Sequence, residues 1–125
     1  MKKSHIYFLL VIFGLLINAC KYDFIVPEVT TPVDPTVPVA FSTQIAPIFN
    51  TETCTSCHKT GGQAPDLSAA NAYNAIKTMN LVNTTTPESS IFYAFPGSSS
   101  HSWKGYTASE SQLILTWIKQ GALNN

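Results

Sequence analysis

Two cysteines and a histidine stand close together in the middle of the chain, which reads Cys54-Thr55-Ser56-Cys57-His58. This C-x-x-C-H spacing is the signature of haem c attachment. Two thiols three residues apart reach the two vinyl groups of one haem and form thioethers, and the adjacent imidazole then binds the iron. We therefore predict that Cys54, Cys57 and His58 hold one covalent haem c, with His58 as the proximal iron ligand.

Other chemistries use part of the same motif. A C-x-x-C pair can be a redox disulfide, but such a pair normally opens a helix after a strand, and no β-α-β pattern surrounds it here. It can also be half of a zinc site, but no second C-x-x-C or H-x-x-x-H follows in the sequence. A haem-free protein with a Cys54–Cys57 disulfide is the remotest alternative.

The third cysteine, Cys20, has a different context. Lys2 and Lys3 precede the apolar run Ile6–Ile17, whose 12 residues would form a helix about 18 Å long, against a hydrocarbon core of about 30 Å. That length is typical of a signal peptide. The residues just before Cys20 resemble a bacterial lipobox, which implies that residues 1–19 are removed and Cys20 is acylated. The alternatives are an uncleaved anchor, or an ordinary signal with Cys20 as a free thiol.

Residues 20–39 form a predicted tether between this anchor and the rest of the chain. Four of the eight prolines fall between Lys21 and Val39, and proline favours extended backbone. At about 3.1 Å per residue this stretch could reach on the order of 60 Å. Residues 40–125 are then the haem-binding domain.

Composition limits the classes of partner and of reaction. The chain has 125 residues, enough for one small domain, with seven lysines, no arginine and seven acidic residues. A basic face for nucleic acid is therefore not expected. No paired carboxylates, nucleophile triad or phosphate-binding loop is evident, so we expect an electron-transfer protein and not an enzyme.

Apolar periodicity predicts an all-α domain of about four helices. Three of them are short. The first contains Pro47, which should interrupt it, and has Ser42 as its N-cap; the second has Ser68 as its N-cap. The three predicted spans are Phe41–Phe49, Ala69–Met79 and Pro87–Ala94, the last directing Ile91, Phe92 and Phe95 inward.

The last helix has the clearest sequence signals. Thr107 and Glu110 form a capping box, and Gly121 marks the C-terminal end. The predicted apolar stripe includes Trp117, which should pack against the helix before the motif. Its members are Leu113, Ile114, Trp117 and Ile118.

Taken together, these elements resemble the small class I cytochrome c domain found in many bacterial lipoproteins. The resemblance runs from about Val39 to Asn125 and includes the C-x-x-C-H motif, a Pro65-Asp66-Leu67 loop and the capped final helix. It implies crossing N- and C-terminal helices around one haem whose edge is partly exposed. It also implies that the backbone carbonyl of Pro65 orients His58.

The sixth iron ligand departs from the family pattern. Such domains usually supply a methionine from the loop before the final helix, and this loop has none. We predict that His101, in that loop, is the distal ligand, and that the neighbouring Trp103 contacts the haem. The alternatives are Met79, whose simpler role is to fill a gap in the pocket, or water at an open site, with His101 a solvated histidine.

The expected function is that of a membrane-tethered c-type cytochrome that carries single electrons between redox partner proteins. It should be exported and anchored through lipid on Cys20, facing the periplasm or cell surface, with the outer membrane favoured. Ligation by two imidazoles would give a lower reduction potential than methionine ligation. The alternative function is a haem enzyme or gas sensor with an open sixth iron position.

Overall fold

The computed structural model describes residues 32–125, whose regular elements are all helical, with no β-strand among them. The prediction of an all-α fold with about four helices is confirmed. The signal peptide, Cys20 and most of the tether lie outside the described residues. The α-helices are α1 (Ile48–Thr51), α2 (Ala72–Thr78), α3 (Ile91–Ala94) and α4 (Ala108–Lys119). Shorter turns are π-helical at Phe41–Ile45 and 3-10 at Cys54–Ser56, Pro87–Ser89 and Ser99–His101.

Within residues 32–125, no helix has the length and apolar character needed to cross a membrane. The longest, α4, has 12 residues, which at about 1.5 Å per residue is roughly 18 Å.

Helix α4 begins and ends as its sequence predicts. The Thr107 hydroxyl accepts from the Glu110 amide at 3.2 Å, and the Glu110 carboxylate accepts from the Thr107 amide at 2.9 Å, which completes the capping box. After the helix, Gly121 adopts a φ of +98°, a conformation that residues with a Cβ rarely adopt.

The apolar face of α4 forms the centre of the core. Ile114, Trp117 and Ile118 are fully buried. The Trp117 ring lies 5.3 Å from that of Phe41, and its Nε1 donates to the Leu123 carbonyl at 2.9 Å. The predicted packing of Trp117 against the segment before the motif is therefore confirmed, and it joins the two ends of the domain.

The predicted first helix is divided in two. Proline has no amide hydrogen, so Pro47 cannot continue the helical bonding, and α1 starts immediately after it. The preceding residues wind as a π-helical turn in which the Ala46 amide donates to the Phe41 carbonyl at 2.8 Å. Ser42 as N-cap was wrong, because its hydroxyl donates at 2.9 Å to the backbone carbonyl of Asn125.

Helix α2 starts three residues later than predicted. The Ser68 hydroxyl, expected to cap the helix, instead donates to the Asp66 carboxylate at 2.6 Å, and the Ser68 amide donates to the same oxygen at 3.0 Å. Asn71 becomes the N-cap residue, without a side-chain capping bond. Asp66 therefore delays the helix because it binds the hydroxyl that would have capped it.

The last residues of the predicted tether contact the domain. The Gln120 side chain donates to the carbonyls of Pro35 and Val37 at 3.0 and 2.9 Å, and accepts from the Val39 amide at 2.7 Å. Val39 is buried. These bonds attach the chain to the end of α4 from Pro35 onward.

Candidate functional site

An apolar cavity of about 240 Å³ lies beside the C-x-x-C-H motif. Both histidines of residues 32–125, His58 and His101, line it. Most of the other groups that line it are aliphatic side chains, aromatic side chains or backbone atoms. They are formed by Cys54, Ala64, Pro65, Leu67, Met79, Leu81, Ile91, Phe92, Phe95, Pro96, Lys104, Gly105 and Tyr106.

His58 is oriented by a backbone carbonyl. It follows the 3-10 turn Cys54–Ser56, and its amide donates to the Cys54 carbonyl at 2.9 Å. Its ring Nδ1 lies 3.2 Å from the Pro65 carbonyl oxygen. Because a carbonyl can only accept, this bond requires the proton on Nδ1 and leaves the Nε2 lone pair free for a metal. The contact predicted between Pro65 and His58 is present.

The loop that carries Pro65 is held by a neighbouring carboxylate. Besides its two bonds from Ser68, Asp66 accepts from the Thr60 hydroxyl at 2.7 Å and the Asn71 amide nitrogen at 2.8 Å. Hydrogen bonds from Ser68 and Thr60 stabilise the ionised form and hold the pKa of Asp66 well below its usual range. These bonds hold Asp66 in place, and with it the loop that carries the neighbouring Pro65.

The two cysteines of the motif differ in exposure. Cys54 is half-buried in the cavity wall, whereas Cys57 is exposed and does not line the cavity. Burial raises the pKa of the Cys54 thiol, with a further contribution from the negative charge of Glu52. Both cysteines are free thiols, without a disulfide between them.

His101 lies in the 3-10 turn Ser99–His101, and the centroid of its ring is 6.3 Å from that of His58. The two ring planes are inclined by 38°. The His101 Nδ1 lies 3.1 Å from the Lys104 carbonyl oxygen. As at His58, the bond to a carbonyl puts the proton on Nδ1 and leaves Nε2 free. The fold therefore brings together the two histidines that the sequence singled out.

The other two predicted site residues occupy different positions. Met79 lines the cavity at the C-cap of α2, with 46% of its surface exposed. Trp103 does not line the cavity and is 70% exposed. Its ring lies 4.7 Å from the His101 ring, so it contacts the candidate ligand from outside the cavity.

Sequence reasoning did not identify the contributions of Lys104 and Tyr106. The Lys104 carbonyl is a backbone group, for which side-chain chemistry gives no signal. The Tyr106 hydroxyl donates to the Phe92 carbonyl at 3.1 Å, and burial raises the pKa of Tyr106.

The residues around the cavity fit a haem c. Two thiols and two imidazoles lie at or beside an apolar cavity, and each imidazole has its Nε2 free. A cavity of about 240 Å³ is smaller than the roughly 300–1,000 Å³ of sites that enclose a whole small molecule. A bound macrocycle would therefore keep part of its edge in solvent. Among residues 32–125, no three His, Cys, Asp or Glu side chains converge as they would around a bare metal ion.

Comparison of the chain with family models, with curated proteins and with solved structures gave no match.

Proposed function

We propose that residues 40–125 form a c-type cytochrome domain that binds one haem c and carries single electrons. Cys54 and Cys57 would hold the haem as thioethers, and His58 and His101 would bind its iron. When bound, the haem supplies the one-electron iron couple. The protein contributes attachment, ligand orientation and an apolar environment.

One observation carries the proposal: the 6.3 Å between the ring centroids of His58 and His101. A metal–imidazole nitrogen bond is about 2.0–2.1 Å, and the ring centre lies roughly 1.1 Å beyond the nitrogen, so two imidazoles on opposite sides of one metal have centroids about 6 Å apart. The two histidines already have this separation. Their Nδ1 atoms are bound to carbonyls, which is the arrangement that fixes metal-binding histidines in one tautomer.

Two further features support electron transfer. Three apolar residues of the cavity wall, Met79, Ile91 and Phe95, are 46%, 56% and 45% exposed, so the cavity opens to solvent on their side. Electron transfer requires only an exposed haem edge. With both imidazoles bound, the iron would have no free position for a substrate, and its reduction potential would be lower than with histidine and methionine ligands.

The domain would work at a membrane surface. Acylation of Cys20 would anchor the exported chain, and residues 20–39 would hold the haem domain near, but not in, the lipid. The outer membrane is the favoured location. Redox proteins that meet the exposed edge of the haem would be the partners.

The test is an optical spectrum of the full chain, exported from a host that matures c-type cytochromes. We expect haem that stays with the polypeptide after denaturation and low-spin bands in both oxidation states. The double variant Cys54→Ala/Cys57→Ala should lose the covalent haem. A colourless protein from a host that matures a control cytochrome would contradict the proposal.

The alternative, a haem enzyme or gas sensor, needs an open or easily displaced sixth position. Carbon monoxide distinguishes the two. Rapid binding to the reduced protein, at a rate that His101→Ala does not change, would favour the alternative.

A further inference from the structure

The two ends of the loop that carries His101 lie in close contact with each other. We call residues 97–105 the distal loop. A Cβ placed on Gly105 would lie 3.3 Å from the Gly97 Cα, a separation tighter than most Cβ contacts. Gly97 has a φ of +82°, and a Cβ there would lie 3.5 Å from the Gly105 Cα. The two ends of the loop meet this closely because neither has a side chain.

The Lys104 carbonyl connects this closure to the imidazole. It accepts from the Gly97 amide at 2.6 Å and from the His101 Nδ1 at 3.1 Å. A carbonyl oxygen has two lone pairs and can accept both. Because one oxygen serves both bonds, displacing Gly97 or Gly105 would also displace the acceptor that orients His101.

The side chain of Lys104 joins the distal loop to the attachment motif. Its Nζ donates to the hydroxyl of Thr53, the residue directly before Cys54. The His101 ring also packs against Phe95, with centroids 5.4 Å apart. The imidazole is thus held by contacts within and beside the loop, and the loop is held to the proximal side of the cavity.

We propose that the distal loop is a preformed support for the sixth iron ligand, in which Gly105 and Lys104 are positioning residues for His101. Gly105 permits the close approach that sets the position of the Lys104 carbonyl, and the Lys104 amine holds the loop to Thr53, beside the attachment motif. The inference rests on the proposed function, because it concerns a ligand of the haem. A ligand held in place before binding loses less conformational entropy when it binds.

The first experiment changes the closure and leaves His101 in place. Gly105→Val in the full chain, matured with haem, should crowd Gly97 and give a partly high-spin ferric spectrum. Added imidazole should restore the low-spin spectrum, because the pocket and the haem remain. Carbon monoxide should bind the reduced variant roughly tenfold faster or more, as expected for an overpacked contact. Ser100→Val, which places the same side chain on an exposed residue of the same loop, should behave as the unmodified protein.

The second experiment removes the amine and keeps the carbonyl. Lys104→Met should leave the resting spectrum low-spin but increase the rate of carbon monoxide binding about two- to tenfold, as expected for loss of one hydrogen bond. Lys59→Met, which removes an exposed lysine directly after the motif, should not change the rate.

The outcomes separate this inference from the proposed function. If the unmodified protein has two histidine ligands and both Gly105→Val and Lys104→Met match it in spectrum and in rate, the positioning role is overturned and the cytochrome stands. If Gly105→Val does not mature, Gly105→Ala takes its place, and an unchanged rate there counts equally against the role. If the unmodified chain binds no haem, both proposals are overturned.

Discussion

The imidazole rings of His58 and His101 have their centroids 6.3 Å apart, although 43 residues separate them in the sequence. Each ring bonds through Nδ1 to a backbone carbonyl, that of Pro65 in one case and of Lys104 in the other. Both carbonyls lie close in sequence to the histidine they bind. The fold brings the two histidines, each already bonded to its own carbonyl, together at one cavity.

If both histidines bind iron, replacing the distal one should change the spin state. We expect His101→Ala to convert the ferric spectrum from low-spin to high-spin, with the haem still covalently attached. His101→Met should raise the reduction potential, because a thioether ligand favours ferrous iron. Potentiometric titration and optical spectra measure both effects.

Met79 provides the matched control. It lines the same cavity, and Met79→Leu keeps its apolar volume while removing the sulfur. The spectrum of Met79→Leu should remain low-spin. Conversion to high-spin in Met79→Leu, with no change in His101→Ala, would identify Met79 as the ligand.

The Asp66 carboxylate should make stability depend on pH at the acid end. Its pKa is lowered in the folded protein from an ordinary value of 3.8, chiefly by hydrogen bonds from Ser68 and Thr60. As pH falls through 3.8 the unfolded chain takes up the proton first, which favours unfolding. The stabilisation is therefore complete above pH 3.8 and declines below it.

Asp66→Asn should accordingly be less stable than the unmodified protein at neutral pH, and the difference should shrink as pH falls below 3.8. Chemical denaturation at a series of pH values measures this. Glu52→Gln removes one negative charge outside the Asp66 network and serves as control. A difference that stayed constant down to the lowest pH would contradict the assignment.

The two tryptophans of the chain should differ in how much their replacement lowers the free energy of unfolding. Trp117 is fully buried and Trp103 is 70% exposed. We expect Trp117→Ala to lower the free energy of unfolding by about 3–5 kcal/mol, since it empties the core next to Phe41. Trp103→Ala should change it by no more than about 0.5 kcal/mol.

Trp103→Ala should instead affect His101, the proposed iron ligand. Its ring packs against that of His101, so its removal should speed carbon monoxide binding to the reduced protein. Stopped-flow mixing measures the rate. A large loss of stability in Trp103→Ala with no change in the rate would show that this contact serves the fold and not the ligand.

The capping box of α4 should contribute measurably to stability. Thr107→Ala removes the oxygen that accepts from the Glu110 amide and should cost about 1 kcal/mol. Thr107→Ser retains a hydroxyl and should cost much less. Denaturant titration followed by circular dichroism compares them, and equal losses in both variants would argue against the cap.

The proposed lipid anchor can be tested at Cys20. Each buried CH₂ of an acyl chain contributes about 0.8 kcal/mol to membrane binding. Cys20→Ala should therefore move the protein from the membrane to the soluble fraction and remove the acyl mass from its N-terminus. Fractionation and mass spectrometry measure both, and Cys20→Ala that stayed with the membrane would count against acylation.

Features that depend on a few adjacent residues could be read from the sequence. The capping box of Thr107 and Glu110, the end of α4 at Gly121, and the break at Pro47 follow from local backbone chemistry. The bond between His58 and the Pro65 carbonyl was reached through family resemblance, and its partners are seven residues apart.

Helix starts were predicted less well, because other acceptors, one a backbone carbonyl and one a carboxylate, take the hydroxyls that were expected to cap them. The hydroxyl of Ser42 is bonded by Asn125, from the other end of the chain, and that of Ser68 by Asp66. The bond between Ser42 and Asn125 depends on tertiary packing. Asp66, by contrast, lies only two residues before Ser68 in the sequence.

The haem chemistry proposed for Cys54, Cys57 and His58 rests on the sequence alone, because it follows from their identities and spacing. The sequence also named His101 as a candidate ligand. Only the tertiary structure decided that His101 meets His58 at one cavity while Trp103 stays outside it. The reason is physical: these contacts arise from packing between segments far apart in the chain, which local preferences do not specify.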